Sequence, residues 1–234
     1  MFVSYRRLSA ARAFTLVTGA VLAASIAFAC KAAPARASEA AALPAEPAPV
    51  GVTATTDTAV FAGGCFWGVE AVFEHLNGVR TAISGYAGGK VRAPSYELVS
   101  SGTTGHAESV LVVYDPSRIS YDQLLQVFFT VAHDPTELNR QGPDVGTQYR
   151  SAIFYRTDAQ RDAARRYIAK LEAAKLYRAP IVTEVAPLDR FNEAEAYHQD
   201  YLVHHPHQPY IMINDAPKLE ALQRQFPALY RKPA

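Results

Sequence analysis

Residues 58–78 read TAVFAGGCFWGVEAVFEHLNG, and the pattern changes character in the middle. Thr58–Ala62 is a short strand-like run that ends in Gly63-Gly64. Phe66–Leu76 reads as a helix, and Asn77-Gly78 supplies the residues that end one. The joint between them is Gly63-Gly64-Cys65-Phe66-Trp67-Gly68. It places Cys65 at a helix N-terminus, where unpaired backbone N–H groups and the dipole favour an anion. Such a position is expected to lower a thiol pKa. Gly63 and Gly64 permit a tight turn and a close approach to the backbone. Phe66 and Trp67 put two large rings beside the thiol, a wall that suits an apolar methyl-sulfur group. The plainer alternative is an inert buried cysteine with Trp67 as core.

Outward from this joint, β and α patterns alternate. Val79–Tyr86 reads as a strand followed by a Gly88-Gly89 turn. Ser109–Tyr114 (SVLVVY) is a β-branched run that looks buried on both faces. Tyr121–Ala132 carries Leu124, Leu125, Phe128 and Val131 at helical spacing. Tyr149–Tyr155 is expected as a strand, Asp158–Tyr177 as a long amphipathic helix, Ile181–Val185 as a strand, Asn192–Leu202 as a short helix, and Pro217–Gln225 as a helix opened by proline. No internal repeat is visible. The alternation calls for a sheet with helices packed on it.

The chain has 234 residues and a formal net charge of +1, with no basic block in its body, so nothing points to nucleic-acid binding. It has two cysteines, Cys30 and Cys65. A disulfide framework in the folded body is excluded and a cysteine-based zinc site disfavoured. The N-terminus reads as an export signal over residues 1–29. Arg6, Arg7 and Arg12 precede the apolar stretch 14–29, and Ala27-Phe28-Ala29 forms a cleavage site before Cys30. An uncleaved anchor, twin-arginine export and a lipid anchor on Cys30 are the alternatives, each a weaker match. Residues 30–56 have the Ala/Pro-rich composition of a linker, which leaves 57–234 as the catalytic domain.

Further segments carry chemistry. In Gly105-His106-Ala107-Glu108, Glu108 stands before an apolar strand, where a carboxylate can acquire a raised pKa and act as a general acid. His106 is a rival, as a base for Cys65, and spacing does not decide between them. Asp144 sits in a Gly/Pro-rich loop, and Tyr149 and Tyr96 are hydroxyls able to orient a polar oxygen. His204, His205 and His207 form a histidine-rich turn without a standard metal-ligand spacing. Two other functions compete: a Cys–His hydrolase or acyl transferase using Cys65 with His106 or His198, and a non-enzymatic envelope module whose aromatic pocket binds a peptide side chain.

Taken in order, GCFWGVE, SGYAGG, the Tyr96 segment, SGTTGHAE, VVYDP, HDPT, RQGPDVGTQYRSAI and AEAYHQDYL resemble the A-type peptide methionine sulfoxide reductases. The resemblance runs from about Thr58 to Leu202. HHPHQPYI and DAPKLEALQRQFP, beyond it, look like the branch of that family without C-terminal resolving cysteines. It implies an α+β fold, a two-layer sandwich with a mixed, ferredoxin-like sheet covered by helices. It also implies reduction of methionine S-sulfoxide, free or in proteins, through a sulfenic acid. Cys65 corresponds to the nucleophile, and Glu108 to the acid that protonates the sulfoxide oxygen. Tyr96 and Tyr149 correspond to hydroxyls bonded to that oxygen or to Glu108, and Asp144 to an organising residue. Phe66, Trp67 and Gly64 correspond to the substrate pocket. No bound cofactor or metal is implied. The expected partners are oxidised proteins or free methionine sulfoxide and a thioredoxin-like reductant (or dithiothreitol), acting on a monomer in the periplasm or cell envelope.

Overall fold

A computed structural model of the chain describes residues 56–232, together with Leu43 and Ala45. The expected export signal, Cys30 and the rest of the linker lie outside the described residues. Leu43 packs against the core, and its carbonyl accepts a hydrogen bond from the Gln126 amide.

The elements in chain order are β1 (Asp57–Gly63), α1 (Phe66–Glu74), β2 (Val79–Ala87), α2 (Tyr96–Ser100), β3 (Ala107–Tyr114) and α3 (Tyr121–Val127), the last continued by a π-turn over Phe128–Ala132. A small hairpin, β4 (Arg140–Gln141) and β5 (Asp144–Val145), is followed by β6 (Ser151–Tyr155) and α4 (Asp158–Ala173). The chain then forms β7 (Glu184–Pro187), β8 (Phe191–Glu193), α5 (Tyr201–His204) and α6 (Ala216–Gln225).

Six strands make one sheet in the order β7-β6-β1-β3-β2-β8. All its pairings are antiparallel except β6 with β7, so the sheet is mixed. The central four, β6-β1-β3-β2, with α1 crossing from β1 to β2 and α4 after β6, have the split βαβ arrangement of a ferredoxin-like fold. β1 shows why the middle of the sheet is apolar on both faces. Ala59 and Phe61 point to the helical layer, whereas Val60 and Ala62 point to the opposite side. On the helical side, Phe61 stacks on Phe73 of α1 and on Phe128 after α3, with ring centroids 5.0 and 4.9 Å apart. The opposite face is smaller and is closed by Leu188 and Phe191 from the strand connection.

Local signals account for most element ends. Ser120 caps α3 in a reciprocal capping box with Gln123. Thr157 caps α4. Gly78, at φ +97°, turns the chain after α1, where a Cβ would meet Ile119 at 2.8 Å.

Several expectations are corrected. Asn192–Leu202 is not one helix: Phe191–Glu193 is an edge strand paired with Gly85–Ala87, and only a short 3-10 turn and α5 follow. β7 starts at Glu184, later than the expected Ile181, because its parallel register with Ala152–Tyr155 sets its ends. Tyr149 closes a 3-10 turn and does not open β6. Asp144 lies in β5, and Tyr96 is the first residue of α2, capped by Ser95.

Phe61 contacts both helices that cover the sheet. Phe61→Ala is therefore expected to cost about 3–5 kcal/mol, the usual penalty for emptying a buried aromatic site. Urea unfolding of the full chain measures this as a lower midpoint at unchanged m-value.

Candidate active site

β1 and β2 are both antiparallel to β3, so the C-terminal ends of β1 and β2 and the N-terminal end of β3 share one edge of the sheet. The candidate residues gather on that edge. Gly64, at φ +90°, turns the chain off β1, and Cys65 follows as the N-cap of α1 without a side-chain capping bond. Glu108 projects from the second position of β3. Its Oε2 accepts a hydrogen bond from the backbone N–H of Phe66, 3.1 Å away, and the carboxyl is 2% exposed. The null of a solvated strand-end glutamate is therefore removed.

A cavity of about 170 Å³ opens on Cys65. Phe66 and Trp67 form one wall, Tyr96, Glu108 and Tyr149 line another, and Asp144 and Tyr210 complete it. Seven of the eight residues expected from the sequence thus come together. Gly64 does not line the cavity: the close approach it permits is to the side chain of Gln141, whose Cβ lies 2.5 Å from where a Cβ at position 64 would stand.

The aromatic wall is held from behind. Trp67 Nε1 donates to His198 Nδ1 at 3.1 Å, and its ring stacks on Tyr201 with centroids 3.7 Å apart. His198 also faces Phe66 and Tyr96. Glu195 accepts from the Tyr96 backbone N–H and from the Tyr86 hydroxyl, fixing α2 against β2. The Tyr210 hydroxyl donates to Asp144 Oδ2. His106 is spent elsewhere: Nδ1 accepts from the Gly89 N–H at 3.2 Å, and Nε2 meets the Val91 carbonyl at 2.8 Å. It lines a separate polar cavity and does not reach Cys65. His204, His205 and His207 are exposed around α5, and no cluster of three ligand-type side chains forms among the described residues.

The electrostatics overturn one expectation. Burial pushes the Cys65 thiol well above its usual range, the neighbouring carboxylates of Glu108 and Asp215 add to this, and the backbone at Trp67 and the ammonium of Lys218 only partly oppose it. The helix N-terminus is outweighed because desolvation penalises the anion more than the dipole favours it. Burial likewise raises Glu108 to about 8, against the bond from Phe66, so the acid is protonated at neutral pH. Asp144 is raised for the same reason.

Tyr210, His198, Asp215 and Lys218 were given no confident place by the sequence. Tyr210 and the Asp215–Lys218 segment fall in the HHPHQPYI and DAPKLEALQRQFP stretches, whose motif-like character was the available signal.

A buried cysteine, a protonated acid and an aromatic wall on a ferredoxin-like sheet define a thiol-based oxidoreductase pocket. Residues 57–229 match the family model of peptide methionine sulfoxide reductase, and the chain belongs to that family. It is 57% identical over 175 residues to peptide methionine sulfoxide reductase MsrA 2 of Mesorhizobium japonicum, covering 75% of this chain and 90% of that protein. It is 50% identical over 179 residues to the MsrA 2 of Synechocystis, covering 76% of this chain and 84% of that one. Among solved structures, reduced Mxr1 from Saccharomyces cerevisiae superposes with a TM-score of 0.62 at 35% identity, covering 67% of this chain and 90% of that one. Methionine sulfoxide reductase A of Corynebacterium diphtheriae superposes with a TM-score of 0.58 at 38% identity, covering 71% and 85%. The chain is an oxidoreductase that returns methionine S-sulfoxide to methionine.

Glu108 ties stability to pH. Its folded pKa, about 8, lies above its unfolded value near 4.5, so between these values the folded state binds the extra proton. Stability must then fall as pH rises through that window. Glu70, also raised to about 8, acts in the same direction. Thermal unfolding should show a smaller drop in Tm from pH 5.5 to pH 8.5 in Glu108→Gln than in the parent; equal drops would mean that Glu108 is ionised throughout.

Proposed function

We propose that Cys65 is the nucleophile of the reduction and Glu108 its general acid. The observation that carries this is their meeting, with Phe66 and Trp67, in one small cavity. The methyl-sulfur end of the substrate fills the aromatic side. The sulfoxide oxygen turns toward Glu108, Tyr96 and Tyr149, and Asp144 orders that polar side through Tyr210. Cys65 loses its proton and attacks the sulfoxide sulfur while Glu108 gives a proton to the oxygen. The S–O bond of the substrate breaks, methionine leaves, and the oxygen remains on Cys65 as a sulfenic acid. The thiol proton restores Glu108, so the atoms balance without a further donor.

An external thiol then attacks the Cys65 sulfur, releasing water and leaving a mixed disulfide. A second thiol frees Cys65 and leaves as a disulfide. A thioredoxin-like protein fits this role, since Cys65 is the one cysteine among the described residues. Oxidised proteins and free methionine sulfoxide are the substrates, and the enzyme works as a monomer. Residues 1–29 act as an export signal and 30–56 as a linker, which sends domain 57–234 to the periplasm or cell envelope. Cys30 is removed with the signal or carries a lipid anchor.

Cys65→Ser should abolish turnover of a chiral methionine sulfoxide with dithiothreitol, because a serine hydroxyl is a far weaker nucleophile. Substantial residual activity would refute the assignment. Glu108→Gln should slow single-turnover formation of the sulfenic acid about 10²–10⁴-fold, and parent activity should decline as pH rises through about 8, where Glu108 loses its proton. A larger loss in His106→Ala than in Glu108→Gln would move the acid elsewhere.

After one equivalent of substrate and no reductant, a sulfenic-acid probe should label Cys65 in the full chain. A Cys30–Cys65 disulfide in envelope-isolated protein would instead make Cys30 a resolving thiol.

A further inference from the structure

Gly68 is the third residue of α1, and Cys65 is the cap three positions before it. Residues at i and i+3 are neighbours on one helix face, with Cβ positions about 5–6 Å apart. At Gly68 that position is taken from outside the helix. A Cβ there would lie 2.0 Å from Asp215 Oδ1 and 2.8 Å from Lys218 Nζ. The glycine leaves room for a carboxylate and an ammonium where a side chain would otherwise stand beside the thiol.

The pair is unusual for a structural contact. Asp215 is fully buried, Lys218 keeps only 14% of its side chain exposed, and they meet at 3.1 Å. Asp215 stands at the N-cap of α6 but makes no capping bond, so the usual reason for an aspartate there does not apply. Its Oδ2 is buried without a hydrogen-bond partner. A buried ion pair with an unsatisfied oxygen stabilises a fold little, since desolvation offsets the attraction.

The charged and titratable groups around Cys65 are Glu108 of β3, Asp144 of β5, Tyr96 of α2, Tyr149, Tyr210 and the pair itself; His133 also lies within the field of Lys218. Every carboxyl in this set disfavours a thiolate. His198, behind Trp67, is held neutral by burial. Lys218 is the one cation that acts on Cys65 among the described residues.

We propose that Asp215 and Lys218 are positioning residues for the nucleophile: Lys218 is the counter-cation of the Cys65 thiolate, and Asp215 is the anion that holds it beside α1. This rests on Cys65 being the nucleophile. An opposite charge within about 4–6 Å commonly moves a titration by one to three units, and one unit is a tenfold change in thiolate content below the midpoint.

The test is the pH profile of iodoacetamide alkylation of the Cys65 peptide, followed by mass spectrometry in the full chain. Lys218→Met should shift the profile upward and slow alkylation at pH 7.5 about tenfold. Asp215→Asn, which removes the anion and keeps the cation, should shift it downward and speed alkylation. Lys218→Arg should restore the parent profile, which a merely structural role would not require. If Lys218→Met does not fold, Lys218→Gln carries the same comparison. Folded variants with the parent profile would overturn the proposal, as would shifts of the same sign in Lys218→Met and Asp215→Asn. The alkylation profile does not depend on turnover, so active Cys65→Ser would count against the nucleophile assignment alone.

Discussion

The site depends on one buried hydrogen bond, from the backbone N–H of Phe66 to Oε2 of Glu108. The first N–H groups of a helix have no partner within it. Here one of them meets a carboxyl carried on β3, an inner strand held on both sides by β1 and β2. The bond joins the helix that bears the cysteine to the strand that bears the acid. It therefore sets the spacing of nucleophile and proton donor by the rigidity of the sheet rather than by a loop. It also uses only one oxygen of Glu108. Because burial keeps the carboxyl protonated at neutral pH, the other oxygen can carry a proton toward the cavity while the first accepts from the helix.

Much of this was legible along the chain, and the reason is locality. β1, α1, β2 and β3 are inner elements whose apolar runs read the same in isolation as in the fold. The Gly63-Gly64 break, the Gly78 turn and the Ser120 cap are short-range signals with direct physical causes. What failed was decided by partners distant in sequence. Phe191–Glu193 became a strand because Gly85 lets it approach: a Cβ at position 85 would stand 2.4 Å from the Asn192 carbonyl. No periodicity in residues 192–202 contains that fact.

The site divides along the same line. Cys65, Phe66, Trp67 and Glu108 belong to motifs whose chemistry is stated by residue type and spacing. Tyr210, Asp215 and Lys218 arrive from far along the chain, and their value is set by where α6 packs against α1. Gly64 was read as an opening for substrate, yet the backbone space it frees is filled by Gln141. A glycine pattern reports close approach without saying what approaches. The thiol itself is the clearest case: the helix N-terminus is visible in sequence, whereas the burial that outweighs it is a property of the packed molecule.

These protonation states fit the size of the cavity. A thiol and a carboxylic acid are both neutral, so an empty or water-filled pocket of about 170 Å³ bears no buried charge from its two reacting groups. Pockets that enclose drug-sized ligands span roughly 300–1,000 Å³; this one suits the end of a single side chain. Only the methyl, sulfur and oxygen of the substrate need enter, and the peptide backbone stays outside, which is why one pocket serves both free and protein-bound methionine sulfoxide. Entry of the sulfoxide displaces water and places a basic oxygen beside the protonated acid. Charge is then created and consumed within the same few ångströms, and the cost of burying an anion falls on the short interval of reaction rather than on the resting fold.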